Sequence, residues 1–326
     1  MRERNPLRRV LLVFSAALLW TLAAEAANPR QDLELGRADS ALQSLNALLA
    51  RNPNDAEAHN LRCRVYYQEE KWDEAISDCE AAVRLAQASS NDHLWLGRAY
   101  GQKAAHASML SGYPLARKVH TEFEQAVQLD PHNVEALSDL GEFDVMAPVV
   151  VGGGMARAAD EVQKLSGVSP AAARTLEARI AESKKDYGTA EAAFKDAIGR
   201  SSYPANAWMD LAAFYRRRGR LDEMVSAARA GAALDGKHGA ALVDSASNLA
   251  LAGRETQTAI EWLRQYLNSN AQSELAPAFV VRAQLAQLLR KQGDIEAAQE
   301  QLAAVRSLAS GYRVPSGNAA SRMAGL

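Results

Sequence analysis

Residues 71–85 read KWDEAISDCEAAVRL, and the spacing within this segment decides the fold. A large apolar residue, Trp72, is followed after three, seven and ten positions by the small residues Ala75, Cys79 and Ala82. Steps of three and four residues trace one face of an α-helix. The pattern returns at residues 186–198 (DYGTAEAAFKDAI) and 293–305 (GDIEAAQEQLAAV). These segments therefore predict copies of one helix.

Each copy is preceded by another helix, which carries a small residue between large ones. Leu96 and Tyr100, for example, flank Gly97. The small residues recur at intervals of 34, 44, 37, 34, 34 and 40 positions, at Cys63, Gly97, Gly141, Ala178, Ala212, Ala246 and Ala286. Two antiparallel helices approach closely only where bulky side chains are absent, and large neighbours fill the remaining gaps. The sequence thus predicts a series of helical hairpins.

Residues 31–312 resemble the tetratricopeptide repeat family, whose unit of about 34 residues is a helix, a short turn, a second helix and a closing proline. The unit beginning near residue 90 carries the family pattern in Leu96, Gly97, Tyr100, Phe123, Ala126 and Pro131. The resemblance implies an all-α fold, an α-solenoid of about seven stacked helix-turn-helix repeats over residues 27–313. It also implies an elongated, right-handed superhelix, with the first helix of each pair lining a concave groove.

Two units are longer than the period, and insertions in solenoids often lie near a binding surface. In the first, we expect residues 104–109 to extend the first helix and Ser111 to Pro114 to form the turn. In the second, the stretch APVVVGGG at residues 147–154 places Pro148 at the end of one helix and three glycines before the next. A flexible connection is favoured over an anion-binding loop, because the segment lacks the Gly-Lys-Ser/Thr ending of a nucleotide loop.

The N-terminal residues indicate export. Residues 1–26 combine a basic start, an uncharged apolar run from Val10 to Ala24, and the small-x-small motif Ala24-Glu25-Ala26, which is typical of a signal peptide. An uncleaved anchor is the alternative, although the run is shorter than the roughly 20 residues that span a bilayer. The expected location is periplasmic or secreted, and residues 314–326 are expected to form a flexible tail.

The charge balance argues against nucleic acid as a partner. The whole chain has 37 Lys and Arg against 39 Asp and Glu, and the part after residue 26 is slightly more acidic. Such a balance gives no electrostatic attraction to a phosphate backbone.

The family's groove positions can be transferred residue by residue to this sequence. They fall on Asn60, Arg64, Tyr67, Gln68, Arg98, Gln102, Glu142, Arg179, Glu182, Arg216, Arg217, Gln287, Arg290 and Lys291. The excess of cations favours an extended peptide or an acidic tail as the ligand. The carboxylate clamp of chaperone-binding members is not reproduced, because Asn60 and Arg64 stand where the clamp residues belong.

Cys63 and Cys79 are the only cysteines, and they lie on facing positions of one hairpin. Export would permit a disulfide between them. Two buried thiols that fill small-residue positions are the alternative.

Catalytic and metal-binding patterns are absent from the sequence. The six histidines form no H-E-x-x-H pair, and there is no G-x-S-x-G motif. We therefore expect no enzymatic activity, no metal and no cofactor. The leading hypothesis is a non-enzymatic scaffold that binds a protein or peptide in its groove. The alternative is a structural or self-associating component of a cell-envelope complex.

Overall fold

The structure is a computed structural model that describes residues 28–236 and 239–315, except the side chain of Met109. The expected signal peptide and most of the expected tail lie outside these residues. Sixteen α-helices and no strand occur in the described part of the chain. They are α1 Pro29–Glu34, α2 Ala38–Arg51, α3 Ala56–Gln68, α4 Trp72–Leu85, α5 Ser90–Ala105, α6 Met109–Leu129, α7 Val134–Met146, α8 Met155–Val168, α9 Pro170–Ser183, α10 Tyr187–Arg200, α11 Pro204–Arg217, α12 Leu221–Leu234, α13 Ala240–Ala252, α14 Thr256–Leu267, α15 Ala278–Gln292 and α16 Ile295–Leu308.

The helices form seven antiparallel hairpins, from α3/α4 to α15/α16, preceded by the shorter pair α1/α2. Each hairpin packs on the next, and the first helices of neighbouring hairpins also touch along part of the array. The prediction of an α-solenoid of stacked hairpins is confirmed.

Side-chain caps explain where many of these helices begin. Asp55, Asn133, Asp186 and Asp294 each stand just before a helix and accept a hydrogen bond from a backbone N–H of its first turn. These N–H groups have no partner within the helix, so a side-chain oxygen at this position stabilises the helix start.

Small residues lie where the helices approach most closely. Ala75, Cys79 and Ala82 of the quoted segment are fully buried. At Gly97 a Cβ atom would lie 2.5 Å from the ring of Phe123, closer than real contacts allow. The predicted close-approach role is therefore visible at Gly97 in α5, where the aromatic ring of α6 occupies the space of the missing side chain.

The two ends of the array meet, whereas the sequence predicts an elongated spiral. Phe279 of the last hairpin and Tyr312, which follows it, pack edge-to-face with ring centroids 4.9 Å apart and join Leu33 and Leu45 in one buried cluster. A Cβ at Gly36, between α1 and α2, would lie 2.2 Å from the backbone nitrogen of Ala278. The hairpins therefore close into a ring, which the repeat pattern alone does not predict.

The first insertion differs from its prediction. Helix α5 ends at Ala105, and the extra residues lengthen α6 to 21 residues, so that Ser111 to Pro114 are helical and not a turn. The reason is local: Ser108 caps α6 by accepting a hydrogen bond from the N–H of Ser111. Pro114 lies in the second turn, where its missing N–H costs the helix one hydrogen bond.

The second insertion is a tightly packed turn and not a loose connection. Gly152 has a φ of 107°, and a Cβ there would lie 2.6 Å from the ring of His120. A Cβ at Gly153 would lie 2.3 Å from the carbonyl oxygen of Ala147. The N–H of Gly154 donates to the carbonyl of Asp144 at 2.9 Å. Gly152 and Gly153 are needed because the long helix α6 and the end of α7 leave no room for side chains, and Gly154 because its φ of 137° disfavours any other residue.

Of the helices described, none combines the length and the apolar character that crossing a membrane requires.

Candidate peptide-binding groove

Arginines on the first helices connect one hairpin to the next. Arg98 in α5 donates from Nε to Asp139 in α7 at 2.6 Å and from Nη2 to Glu135 at 2.9 Å. Arg179 in α9 reaches Asp210 in α11 at 3.3 Å and Glu142 in α7 at 3.6 Å. Both arginines directly follow the small residue of their helix, so the repeat register places them alike.

These acidic partners are partly buried. Burial raises the pKa of Asp139, Glu142 and Asp210, and the neighbouring arginines lower it again. The predicted groove cations Arg98 and Arg179 are thus already neutralised by carboxylates of the same chain.

Arg64, at the equivalent position of α3, pairs with a residue from the far end of the ring. Its guanidinium holds both carboxylate oxygens of Glu274, with Nε to Oε1 at 2.7 Å. Gln68 donates to the backbone carbonyl of Glu274 at 3.2 Å. Glu274 lies in the connection between α14 and α15, 210 residues away from Arg64. The chain's own loop therefore occupies this part of the predicted groove.

An aromatic platform lies beside that contact. Two guanidinium groups lie over the ring of Trp95, with Arg64 Cζ 5.0 Å and Arg98 Cζ 4.8 Å from its centroid. Tyr67 packs edge-on against Trp95 at 5.5 Å and accepts a hydrogen bond from Gln102 at 3.3 Å. Cations over the face of tryptophan are attracted by its ring electrons.

Sequence reasoning missed Trp95 and Glu274. Trp95 could have been found from the register, because it stands two residues before Gly97, where other hairpins carry Asp139, Asp210 and Asp244. No pattern in the sequence points to Glu274, because it belongs to a loop outside the repeat.

The remaining predicted residues differ in their contacts. Arg217 holds Glu182 through two hydrogen bonds of 2.9 and 2.8 Å, and Arg216 donates to Asn248 at 3.0 Å. Arg290 and Lys291 are exposed at the end of α15 and form no ion pair with another described residue. Asn60 lies against Arg64, whose Nη1 donates to it at 3.5 Å. Several of the predicted residues are therefore engaged within the chain, whereas Arg290 and Lys291 are exposed.

The series of ion pairs is interrupted at the sixth hairpin. Asp244 in α13 is equivalent to Asp139 and Asp210, but Ala213 stands in α11 where α5 and α9 supply Arg98 and Arg179. Within the described residues Asp244 forms no ion pair, and its side chain is exposed to solvent. The surrounding protein raises the pKa of Asp244 to about 7, and repulsion from Asp210 and Asp235 adds to the effect.

The structure joins Cys63 and Cys79 in a disulfide, with their Cα atoms 5.3 Å apart. Both residues are fully buried between α3 and α4. The bond links the two helices of the first full hairpin, the hairpin that carries Arg64.

In the part of the chain that the structure describes, no three His, Cys, Asp or Glu side chains are arranged to hold a metal ion. His59 and His93 have structural partners, since each bonds an acidic side chain of the paired helix through Nδ1, at 2.8 and 2.7 Å.

Residues 30–92 match the model of the tetratricopeptide repeat family. No curated protein sequence matches the chain. Among solved structures, yeast Tom70 is similar with a TM-score of 0.52 at 16% identity, over 89% of this chain and 61% of that one. A thermophilic protein of this family from Thermus thermophilus has a TM-score of 0.44 at 19% identity, over 68% of this chain and 100% of that one. Another from Parabacteroides merdae has 0.46 at 14% identity, over 75% and 92%.

The family match over residues 30–92 and the recurring hairpins of the described residues together support a tetratricopeptide repeat protein. The likeness to Tom70 concerns the fold alone.

Proposed function

We propose that the chain is a non-enzymatic scaffold that binds an acidic segment of another protein in the groove around Arg64. The fold suggests a protein–protein interaction scaffold, and tetratricopeptide repeat proteins are generally not catalysts. One contact supports the acidic character of the ligand and its place beside Arg64.

That contact is the way Glu274 is held. Arg64 binds its carboxylate with two nitrogens, while Gln68 binds its backbone carbonyl at 3.2 Å. A peptide that ends or passes here would offer the same two groups. Paired Arg–carboxylate hydrogen bonds are strong and specific in geometry, so an acidic residue suits the site better than a neutral one. The loop around Glu274 acts as an internal competitor for this ligand.

Peptide binding to the full chain tests the proposal. The probes are fluorescein-labelled 12-residue peptides with several Asp and Glu residues, and matched peptides with Asn and Gln in their place. Glu274→Gln weakens the hold of the internal competitor, so acidic peptides are expected to bind about 10-fold more tightly, a change of about 1.4 kcal/mol. Arg64→Gln is expected to lower their affinity by a similar factor or more.

Arg200→Gln is the matched control, because Arg200 is exposed on α10 and pairs only with Asp196 in its own helix turn. Binding that is equal for acidic and neutral peptides, or that is unchanged in both groove variants, would contradict the proposal.

The scaffold is further proposed to act after export, in a periplasm or outside the cell. The support is the leader-like composition of residues 1–26 and the pairing of the only two cysteines. Cell fractionation followed by N-terminal sequencing is expected to find the chain outside the cytoplasm and beginning near Ala27. A full-length cytoplasmic product would contradict export without affecting the groove.

A further inference from the structure

A second candidate site lies beside the three-glycine turn, between α6, α7 and α8. Helices α6, α7 and α8 enclose a cavity of about 370 Å³. His120 of the lengthened α6 forms part of its wall and packs beneath Gly152 of the three-glycine turn. The N–H of Gly154 fixes the end of α7 through the carbonyl of Asp144. The cavity therefore lies directly beside the three-glycine turn.

Two buried carboxyl groups lie in the wall of this cavity with oxygens left unpaired. Asp144 is 1% exposed, and its Oδ1 has no hydrogen-bond partner among the described residues. Glu161 is 4% exposed; its Oε1 accepts from Lys164 at 2.7 Å, whereas its Oε2 has no partner in the described part of the chain. Leaving a buried polar group unpaired costs free energy, more so for a charged one. A partner that donates hydrogen bonds would remove this cost.

The charges around the cavity favour a cation. Its wall contains four acidic residues, Glu124, Asp144, Asp160 and Glu161, but only two basic ones, Arg157 and Lys164. Both basic groups are already engaged, because Arg157 pairs with Glu124 at 2.9 Å and Lys164 with Glu161 at 2.7 Å. His120 adds no compensating charge near neutral pH, because burial and Arg157 lower its pKa.

We infer that this cavity binds an ammonium group, held between Oδ1 of Asp144 and Oε2 of Glu161. An ammonium group carries one positive charge and three hydrogen-bond donors on a single small atom, which suits two separate acceptors. A metal ion fits less well, because no three ligating side chains converge in the described residues. The volume falls in the range of small-ligand sites and admits an alkyl chain behind the nitrogen. The ammonium group comes from a small free amine or from a lysine side chain of a partner.

The affinity is expected to rise with pH. Burial and repulsion from Glu161 raise the pKa of Asp144 to about 7, while Arg157 and Lys164 of α8 oppose this and Glu124 of α6 adds to it. The ligand remains charged in this range, since alkyl ammonium groups titrate near pH 10. The ionised fraction of Asp144 rises from about one tenth at pH 6 to about nine tenths at pH 8, so ammonium binding strengthens by up to about 10-fold.

Titration calorimetry on the full chain, at constant ionic strength, tests this site with two probes. One is 1,4-diaminobutane, and the other is a lysine peptide capped at both ends. We expect at least one of them to bind with a Kd below 1 mM, about −4 kcal/mol. Binding of the diamine indicates a free amine as the ligand, whereas binding of the peptide alone indicates a partner's lysine. No binding of either probe at 10 mM overturns the inference.

Substitutions in the cavity wall connect the binding to the two carboxyls. Asp144→Asn and Glu161→Gln are each expected to weaken binding about 10-fold or more, since each removes a charged acceptor. Asp144→Asn is also expected to abolish the rise between pH 6 and pH 8. Glu300→Gln, on the exposed side of α16, is the control of equal charge and is expected to bind as the wild type does.

Unchanged binding in both cavity variants overturns the inference. Should either variant fail to fold, the pH series on the wild-type chain decides, because binding that is independent of pH contradicts a role for Asp144. The groove variants Arg64→Gln and Glu274→Gln should leave amine binding unchanged, which separates the failure of this site from the failure of the proposed function.

Discussion

Arg64 and Glu274 form a two-pronged ion pair across the closure of the ring, although they are 210 residues apart in the sequence. Their side chains are only 13% and 14% exposed, so water screens the pair weakly. The pair joins the first full hairpin to the loop before the last one. The same pair therefore holds the two ends of the array together and fills the groove at Arg64.

Breaking this pair is expected to loosen the ring. Glu274→Gln removes the charged partner of Arg64 and is expected to lower the free energy of unfolding by about 2 kcal/mol. Small-angle X-ray scattering should show a larger radius of gyration for the variant than for the wild type. The double variant Arg64→Gln/Glu274→Gln should resemble the single variants, because the two residues act through one contact. Identical scattering from all forms would contradict a closing role.

The disulfide is expected to stabilise the first full hairpin. It joins residues 16 positions apart, and a bond that closes a loop of this length contributes about 3 kcal/mol. The Cys63→Ala/Cys79→Ala variant should lose that amount in urea unfolding. Mass spectrometry of the unreduced chain should find two hydrogens fewer than after reduction. Two titratable thiols in the unreduced, denatured chain would refute the bond.

The small-residue rule can be tested with two glycines. Gly97→Ala forces a Cβ to within 2.5 Å of the Phe123 ring and should destabilise the chain by about 1 to 3 kcal/mol. Gly199→Ala, in α10, meets no atom within 4 Å and should stabilise by about 0.5 to 1 kcal/mol, because alanine favours the helix. Urea unfolding measures both changes. Equal effects at the two positions would remove the steric explanation.

Asp144 makes the stability of the chain depend on pH. Its pKa is about 7 in the folded protein and about 4 in an unfolded chain, so the folded state binds the proton more tightly. The stabilisation that comes from this tighter proton binding is fully present below pH 4. It is lost as the pH rises through 7, because Asp144 then ionises in the folded protein. Asp144→Asn should therefore stabilise the chain by about 1 to 3 kcal/mol at pH 8 and by less at pH 5. Denaturant unfolding at both pH values tests this prediction, which a gain independent of pH would contradict.

Much of the groove could not be predicted from the sequence, although its arginines could. The register places Arg64, Arg98 and Arg179 alike, because each directly follows the small residue of its helix. Their acidic partners depend on how neighbouring hairpins are rotated against one another, and that rotation is set by packing between hairpins. The expectation of an excess of cations along the groove therefore missed the acidic partners that the chain itself supplies.

The sequence by itself determined the hairpins, because the three-and-four spacing around Trp72, the small residue at Gly97 and the caps at helix starts act within a few turns of helix. Only the tertiary structure decided that the array closes and that Glu274 occupies the groove. It also decided that Asp144 and Glu161 share a cavity. These features depend on the sum of small rotations over seven hairpins and on the shape of two insertions, and neither quantity is contained in a local pattern.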